Sequence, residues 1–330
     1  MTEGPIPSGE LPLSARAPGK CILFGEHAVV HGRPELLLAI DLQTQVLAAP
    51  SPEMRLNGTT EGVRQNRYVA RAMETLWPPG SEPIEWRTLS RIPRSAGLGS
   101  SAALSSALAA TLLAARGGAE RSVLAEASFS IERGAQGVGS PGDTSASVAG
   151  GLVALNGSDG PPLWEVSDAE HRWLVRRVED PGWIWVVAYS GVPRNTAETV
   201  RAVGRRLAEP DGPRLLDRFE EVARAGIAAV LSEDRGEVGR RMDENHELLK
   251  TIGVSHPKLE AMLDAARPVA DGAKLTGAGA GGSVLVLPSP GQEVECQRRL
   301  RAAGGQAFVV RAAPRGAGLV ETPEEPAAPE

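Results

Sequence analysis

The sequence has few cysteines, no excess of positive charge and no long apolar run. Its two cysteines, Cys21 and Cys296, form no CxxC pair, which excludes a disulfide framework and favours a reducing, cytoplasmic location. The net charge of −6 excludes a general electrostatic attraction to nucleic acid or to anionic lipid. A small anionic ligand would therefore need a local binding site.

The membrane and the secretory pathway are likewise not expected from the sequence. No apolar stretch approaches the roughly 18 residues of a membrane helix. The opening stretch MTEGPIPSGELPLSARAPGK lacks a basic start followed by an apolar core, so no secretory signal is predicted. We expect no membrane partner.

The composition and the pattern of apolar residues predict an α+β protein. The hydrophobic fraction of 42% and the charged fraction of 23% are ordinary for globular chains, and 330 residues suffice for two packed domains or one large one. Short apolar strands and amphipathic helices are mixed without strict βαβ alternation, which favours α+β over a doubly wound sheet.

A first glycine loop runs directly into a predicted helix. The stretch GLGSSAALSSALAA, residues 97–110, places Gly97 and Gly99 before serines and an alanine-rich run. Glycines let backbone N–H groups converge on a phosphate, and the start of a helix favours an anion. An ordinary loop with a serine N-cap is the alternative, and the residues alone leave both open.

A second glycine cluster, Gly277–Gly282, lies far from the first and is followed by a predicted strand. A Walker A loop is excluded because the only Gly-Lys pair, Gly19-Lys20, precedes a cysteine. A dinucleotide site is disfavoured because the first loop does not directly follow a strand and the second does not open a helix. A protein kinase is disfavoured because no VAIK, HRD or DFG sequence follows the cluster.

Three segments in order resemble the three motifs of the GHMP small-molecule kinases. They are APGKCILFGEHAVVHG (Ala17 to Gly32), PRSAGLGSSAALSSA (Pro93 to Ala107) and KLTGAGAGGSVLVL (Lys274 to Leu287). Two connecting stretches, Glu132 to Gly151 and Met242 to Arg267, are similar to the archaeal and bacterial members that phosphorylate mevalonate. The resemblance covers about residues 15 to 310.

The resemblance implies a two-domain α+β fold with the active site in the cleft between the domains. The N-terminal domain would resemble domain 2 of ribosomal protein S5, and the C-terminal domain would be ferredoxin-like. The predicted ranges are a flexible N-terminus at 1–12, an ATP-binding domain at 13–165, a C-terminal domain at 166–315 and a disordered acidic tail at 316–330.

The resemblance also assigns ATP and Mg²⁺ to particular residues. The loop around the ATP phosphates would comprise Pro93, Ser95, Gly97, Leu98, Gly99, Ser100, Ser101, Ala102 and Ala103. Ser101 and Glu132 would bind Mg²⁺, which prefers oxygen ligands and takes few protein groups. Considered alone, Glu132 could equally be a solvated helix charge.

The resemblance places the acceptor alcohol beside a lysine and an aspartate. Asp143 would be the catalytic base and Lys20 would lie at the reacting hydroxyl. The other substrate contacts implied are Glu26, His27, Thr276, Gly277 and Ala278. Lys20 could favour the ionised Asp143 or stabilise the phosphoryl oxygens, and Asp143 could remove the proton or only orient the hydroxyl. Asp143 as a simple helix cap is a further alternative.

The activity implied is transfer of the ATP γ-phosphate to the 5-hydroxyl of (R)-mevalonate, giving 5-phosphomevalonate for isoprenoid synthesis. Acceptor pockets differ by few side chains, so phosphomevalonate, homoserine, galactose or the 3-hydroxyl of mevalonate are alternatives. A non-catalytic ligand-binding protein of the same fold is another. The expected partners are ATP, the small-molecule acceptor and a second copy of the chain in a homodimer, without nucleic acid.

Two positions depart from the family pattern. Glu35, in GRPELLLAID, stands where a small apolar residue is usual, and its burial would be unfavourable unless the carboxylate reached solvent or a cation. Ala280 replaces a frequent glycine in the second cluster, which makes a positive φ there unexpected.

Overall fold

The computed structural model describes residues 11–137, 139–193 and 196–321. Its helices are α1 Thr60–Gln65, α2 Arg67–Leu76, α3 Ser100–Ala115, α4 Arg121–Gln136, α5 Gly142–Ala149, α6 Thr196–Leu207, α7 Gly212–Leu231, α8 Arg235–Thr251, α9 Pro257–Ala266 and α10 Glu293–Ala302. Short 3-10 turns lie at Ala28–His31 and Arg267–Val269.

The strands alternate irregularly with these helices, as the sequence predicted for an α+β chain. They are β1 Leu13–Phe24, β2 Glu35–Pro50, β3 Arg55–Leu56, β4 Ile84–Ser90, β5 Leu152–Leu155, β6 Pro162–Ser167, β7 Arg172–Val178, β8 Trp185–Tyr189, β9 Ala270–Thr276, β10 Ser283–Pro288, β11 Gln306–Val310 and β12 Gly318–Leu319.

The larger sheet contains the two longest strands. Its strand order is β12-β1-β2-β5-β7-β6, and β4 joins β2 further along and also pairs with the short β3. The register between β1 and β2 shifts between Pro18 and Gly19, immediately before Lys20. Such an irregularity re-aims the side chains that follow it.

The smaller sheet has the ferredoxin-like strand order. Its four strands run β11-β8-β10-β9, and every neighbouring pair is antiparallel. Numbered along the chain, this is the order 4-1-3-2 of a ferredoxin-like unit, in which the two hairpin strands pair and helices connect the rest. The predicted ferredoxin-like C-terminal fold is therefore found. Its first connection, from β8 to β9, contains the four described helices α6 to α9, where the simple unit has one.

Two of the predicted range borders fall within or beside paired strands. The border at 165/166 falls inside β6, and both β6 and β7 pair within the larger sheet, so sheet membership changes after residue 178. The tail predicted as disordered from 316 instead returns to β1, where Gly318 pairs with Arg16. Residues 1–10 and 322–330 of the two predicted flexible ends lie outside the described residues.

Helix α3 is buried on nearly all sides. Twelve of its sixteen residues are buried, and these are mainly alanine, leucine and serine. Small side chains let the helix approach the large sheet and the neighbouring helices closely, and a helix that is apolar all round belongs in a core. The rigid packing of α3 fixes the position of its N-terminus, where the first glycine loop ends.

The two sheets meet at β1. The Thr276 hydroxyl, at the end of β9, accepts from the Ile22 backbone N–H at 2.8 Å and donates to the Ile22 carbonyl at 3.1 Å. Among the described residues, no helix is long and apolar enough to cross a membrane.

Candidate active site

A lysine and an aspartate form an ion pair at the start of α5. Lys20 lies on β1 with only 1% of its side chain exposed, and its Nζ is 3.0 Å from Oδ1 of Asp143. Asp143, in the first turn of α5, keeps 34% of its side chain exposed. The structure therefore brings together the two predicted catalytic residues and leaves the carboxylate accessible.

The two predicted metal ligands are in direct contact. The Ser101 hydroxyl, in the first turn of α3, donates to Oε1 of Glu132 on α4 at 2.7 Å. Burial raises the pKa of Glu132 to about 7, and the negative charge of Asp143 adds to that rise. Gln136, which the motifs did not single out, donates to the same Glu132 oxygen at 2.9 Å.

In the first glycine loop both glycines have positive φ, and Gly99 also lies directly against Lys20. Gly99 has φ 74°, and a β-carbon there would lie 2.8 Å from Cγ of Lys20. Gly97 has φ 83°. The Leu98 carbonyl accepts from the Lys20 backbone N–H at 2.9 Å, which holds the loop against β1.

The start of α3 is arranged to receive an anion through its backbone. Gly99 is the N-cap, and within the described chain no side chain caps this helix end. The side chains of Leu98, Ala102 and Ala103 are buried, so any contribution they make to phosphate binding comes from the main chain. Pro93, Ser95 and Ser100 complete the predicted loop, and Ser95 has φ 57°. Uncapped N–H groups and the helix dipole favour phosphate at this position.

A second lysine–carboxylate pair lies entirely in the interior. Glu26, predicted to contact substrate, is ion-paired with Lys274, and both side chains are at most 1% exposed. Asn245 donates to the other Glu26 oxygen at 3.3 Å. Burial lowers the pKa of Lys274, and the charge of Glu26 opposes that shift. The sequence analysis did not single out Lys274 or Asn245. For Lys274, a lysine within an otherwise uncharged stretch of a buried strand could have indicated a buried ion pair.

The third motif closes the other side of the site. His27 Nε2 is 3.0 Å from the Ala278 carbonyl oxygen, and Gly277 and Ala278 line the cavity. Thr276 was predicted to contact substrate, but its hydroxyl is bonded to the Ile22 backbone and its side chain is fully buried. Ala280 adopts φ 57°, so the left-handed conformation that the sequence made unexpected does occur.

One cavity joins these groups. Its walls include Lys20, Asp143, Glu132, Glu26 and His27, with Gly277 and Ala278. Side chains that the motifs did not single out also contribute, namely Phe129, Arg133, Gln136 and Ser140. These four line the cavity because of the geometry of α4 and of the turn before α5, which a short sequence motif does not predict.

Glu35 is buried in the wall of this cavity and has neither the solvent contact nor, from the described chain, the cation partner that would offset its burial. It is 2% exposed, and its Oε2 has no hydrogen-bond partner within the described residues. Burial raises the pKa of Glu35 well above its usual value, the charge of Asp143 adds to the rise, and Lys20 opposes it. These surroundings therefore favour the protonated form of the carboxyl group.

The donors at Ser101 and Glu132 suit Mg²⁺ better than a transition metal. A hydroxyl and a carboxylate oxygen converge, which are hard ligands, and Mg²⁺ takes few protein groups beside phosphate and water. No cluster of three or more His, Cys, Asp or Glu side chains that could hold a metal is found in the described part of the chain. The residues present therefore fit a magnesium ion shared with a bound phosphate.

Comparison with known sequences and structures gives one consistent result. The family models "GHMP kinases N terminal domain" and "GHMP kinases C terminal" match residues 67–151 and 227–306. Mevalonate kinase of Methanothermobacter thermautotrophicus is 34% identical over 82% of this chain and 89% of its own. Mevalonate kinase of Pyrococcus abyssi is 31% identical over 94% of this chain and 98% of its own.

The overall fold has a close counterpart among solved structures. The crystal structure of L. major mevalonate kinase in complex with R-mevalonate superposes with a TM-score of 0.79, covering 96% of this chain and all of the other at 23% identity. The two-domain fold expected from the motifs is confirmed. The chain belongs to the GHMP family of small-molecule kinases.

Proposed function

We propose that this kinase transfers the γ-phosphate of ATP to the 5-hydroxyl of (R)-mevalonate, giving 5-phosphomevalonate for isoprenoid synthesis. The observation that carries the proposal is the pair Lys20–Asp143, 3.0 Å apart, in one cavity with Glu132, which is hydrogen-bonded to Ser101 at the start of α3. The acceptor is taken from relatives at 31–34% identity over most of the chain, which are named mevalonate kinases.

ATP would bind with its phosphates at the N-terminus of α3. The backbone N–H groups after Gly99 supply donors, and the helix dipole favours the negative charge. Such donors are fixed before the substrate arrives, so they need no reorganisation as charge develops on the transferring group. ATP use follows from the family, and the placement of the phosphates is our proposal.

Ser101 and Glu132 would hold Mg²⁺. A magnesium ion at this position would neutralise charge on the transferring phosphoryl group. The role of the chain is to present the Glu132 carboxylate in its ionised form. Because the pKa of Glu132 is about 7 without metal, proton and metal compete for the same oxygen near neutral pH.

Asp143 would accept the proton of the reacting alcohol. Lys20 holds Oδ1 of Asp143, which leaves Oδ2 to accept a hydrogen bond from the 5-hydroxyl. As the hydroxyl oxygen bonds to the γ-phosphorus, the bond from phosphorus to the ADP oxygen breaks and the proton passes to Asp143. Holding the alcohol in line and accepting its proton are the contributions that phosphoryl transfer requires of a protein.

The test is an ADP-release assay with Mg-ATP against mevalonate, 5-phosphomevalonate, homoserine and galactose, with the phosphate position read by phosphorus NMR. We expect turnover of mevalonate alone and a 5-phosphate product. A 3-phosphate product, or turnover of another acceptor instead, would keep the kinase and refute the substrate. ATP binding with no turnover of any acceptor would favour a non-catalytic protein.

Two further expectations belong to this proposal. A homodimer is expected from the family resemblance, and light scattering of the purified chain tests it. A reducing cytoplasmic location is supported by Cys21 and Cys296, which are both free and buried. Secretion of the intact chain from the native cell would contradict that location.

A further inference from the structure

One ionisable side chain in the cavity has no part in the proposed reaction. Glu35 begins β2 and lines the cavity that Lys20 and Asp143 also line. Its Oε2 is buried and lacks a hydrogen-bond partner within the described residues. An unsatisfied buried polar atom is unfavourable by about 1–3 kcal/mol. Because Oε2 is enclosed, a ligand in the cavity would meet the edge of the carboxyl group that lines it.

The Glu35 carboxyl lies against the first turn of the helix that carries Asp143. A β-carbon at Gly142 would be 2.4 Å from Oε2 of Glu35, so only glycine leaves room for the carboxyl there. Asp143 is the next residue along the chain. A substrate whose reacting hydroxyl meets Asp143 therefore has Glu35 close to its neighbouring atoms.

The surroundings of Glu35 raise the pKa of its carboxyl group and so favour the protonated form. Burial is the main cause, the charges of Asp143 and Glu26 act in the same direction, and Lys20 and Lys274 act against it. A neutral carboxylic acid offers one O–H donor and one carbonyl acceptor. An alcohol, which also donates and accepts once, is the complementary partner, whereas a cation would need the ionised form.

We propose that Glu35 is a specificity-determining residue that hydrogen-bonds the non-reacting 3-hydroxyl of mevalonate. The inference rests on the proposed function, which assigns the 5-hydroxyl to Asp143 and Lys20. The 3-hydroxyl, two carbons further along the substrate, is the next alcohol within reach. The family pattern has a small apolar residue at this position, so the contact is a feature of this chain.

The prediction is a selectivity against the substrate analogue that lacks this hydroxyl. A site built to hydrogen-bond a substrate hydroxyl rejects the deoxy analogue strongly, because its own polar group is left unpaired. We expect the wild-type kcat/KM for mevalonate to exceed that for 5-hydroxy-3-methylpentanoate by at least about 100-fold. Glu35→Ala should reduce this ratio about tenfold or more, with KM for ATP unchanged.

Two variants separate a substrate contact from a general disturbance of the cavity. Glu35→Gln keeps a donor and an acceptor, so it should retain most of the selectivity. Val29→Ala removes apolar volume from the same cavity wall and should change kcat/KM for both substrates by the same factor, leaving their ratio unchanged. Circular dichroism checks that each variant is folded.

A pH profile tests the proposal even if Glu35→Ala does not fold. In the wild type the ratio should fall as pH rises, because Glu35 ionises and loses its donor, whereas in Glu35→Gln it should stay flat. A folded Glu35→Ala with the wild-type ratio, or identical profiles of wild type and Glu35→Gln, would overturn the role of Glu35. Absence of wild-type turnover of mevalonate would instead refute the proposed function, and this inference with it.

Discussion

Two lysine–carboxylate pairs lie at the same site, where Lys20, Asp143 and Glu26 line the cavity, and they differ in what surrounds them. Lys20 pairs with an Asp143 side chain that is 34% exposed, whereas Lys274 pairs with a Glu26 side chain that is 1% exposed. In the first pair one carboxylate oxygen remains available to a substrate. In the second, Asn245 and the lysine occupy both carboxylate oxygens. The open pair is thus available for the proposed chemistry, whereas the enclosed pair is packed in the interior.

The largest expected effect comes from the open pair. Asp143→Asn should lower kcat by about 10²–10⁴-fold, because the amide cannot accept the alcohol proton. Its carbonyl oxygen can still accept from Lys20, so ATP affinity by calorimetry should be retained. Asp264→Asn, on an exposed side chain of α9, is the control and should keep full activity. Unchanged turnover of Asp143→Asn would remove Asp143 from the mechanism.

The enclosed pair should respond in stability. Lys274→Met leaves the buried Glu26 charge without its cation and should lower the free energy of unfolding by about 3–5 kcal/mol, measured by chemical denaturation. Lys250→Met removes a half-exposed lysine paired with Glu247 at 3.0 Å. This control should change the free energy of unfolding by less than about 1 kcal/mol.

The double variant Glu26→Gln with Lys274→Met should recover much of the loss, because no buried charge then stands alone. If Lys274→Met were no less stable than Lys250→Met, the contrast between the open and enclosed pairs would be wrong.

A third carboxylate should make the metal requirement depend on pH. In the folded protein without metal, the pKa of Glu132 is about 7 instead of the usual 4.5. The carboxylate therefore takes up a proton at a higher pH than an exposed glutamate does. The Mg²⁺ concentration for half-maximal rate should therefore rise as pH falls below 7, by about tenfold per unit. Glu132→Gln should need more Mg²⁺ at every pH and lose this dependence. A wild-type requirement constant from pH 5.5 to 8 would contradict Glu132 as a ligand.

The smallest effect is expected in the loop that follows Lys274. Ala280 is exposed and has φ 57°, a conformation disfavoured by about 1–2 kcal/mol for residues with a β-carbon. Ala280→Gly should therefore raise the free energy of unfolding by at most about 1 kcal/mol, which should slightly raise the melting temperature. Ala228→Gly, at an exposed position within α7, is the matched control and should lower it. A destabilised Ala280→Gly would mean that Ala280 is not strained.

The parts of the site that could be predicted are those fixed by local sequence. The loop around Gly97 and Gly99 and the start of α3 follow from glycines before a run of small helix-forming residues. The family resemblance implied that Ser101 and Glu132 share a Mg²⁺ site, and the structure brings the two side chains to 2.7 Å.

What could not be predicted depends on pairings between distant segments. Lys274 and Glu26 are 248 residues apart, and neither position indicates the other. Thr276 matched a substrate motif, yet its hydroxyl joins β9 to β1. The hairpin of β6 and β7 returns to the larger sheet through its pairing with β5, whereas the predicted domain border at 165/166 falls within it. The sequence showed that Glu35 is unusual at its position, but only the structure showed which groups surround it.

The pairing of β12 with β1 has a consequence for biosynthesis. Strand β1, which carries Lys20, leaves the ribosome about 300 residues before Gly318 and Leu319 do. Until they emerge, part of β1 remains an unpaired sheet edge, which is prone to pair with other chains. A nascent chain halted before residue 318 should therefore depend on chaperones more than the finished protein.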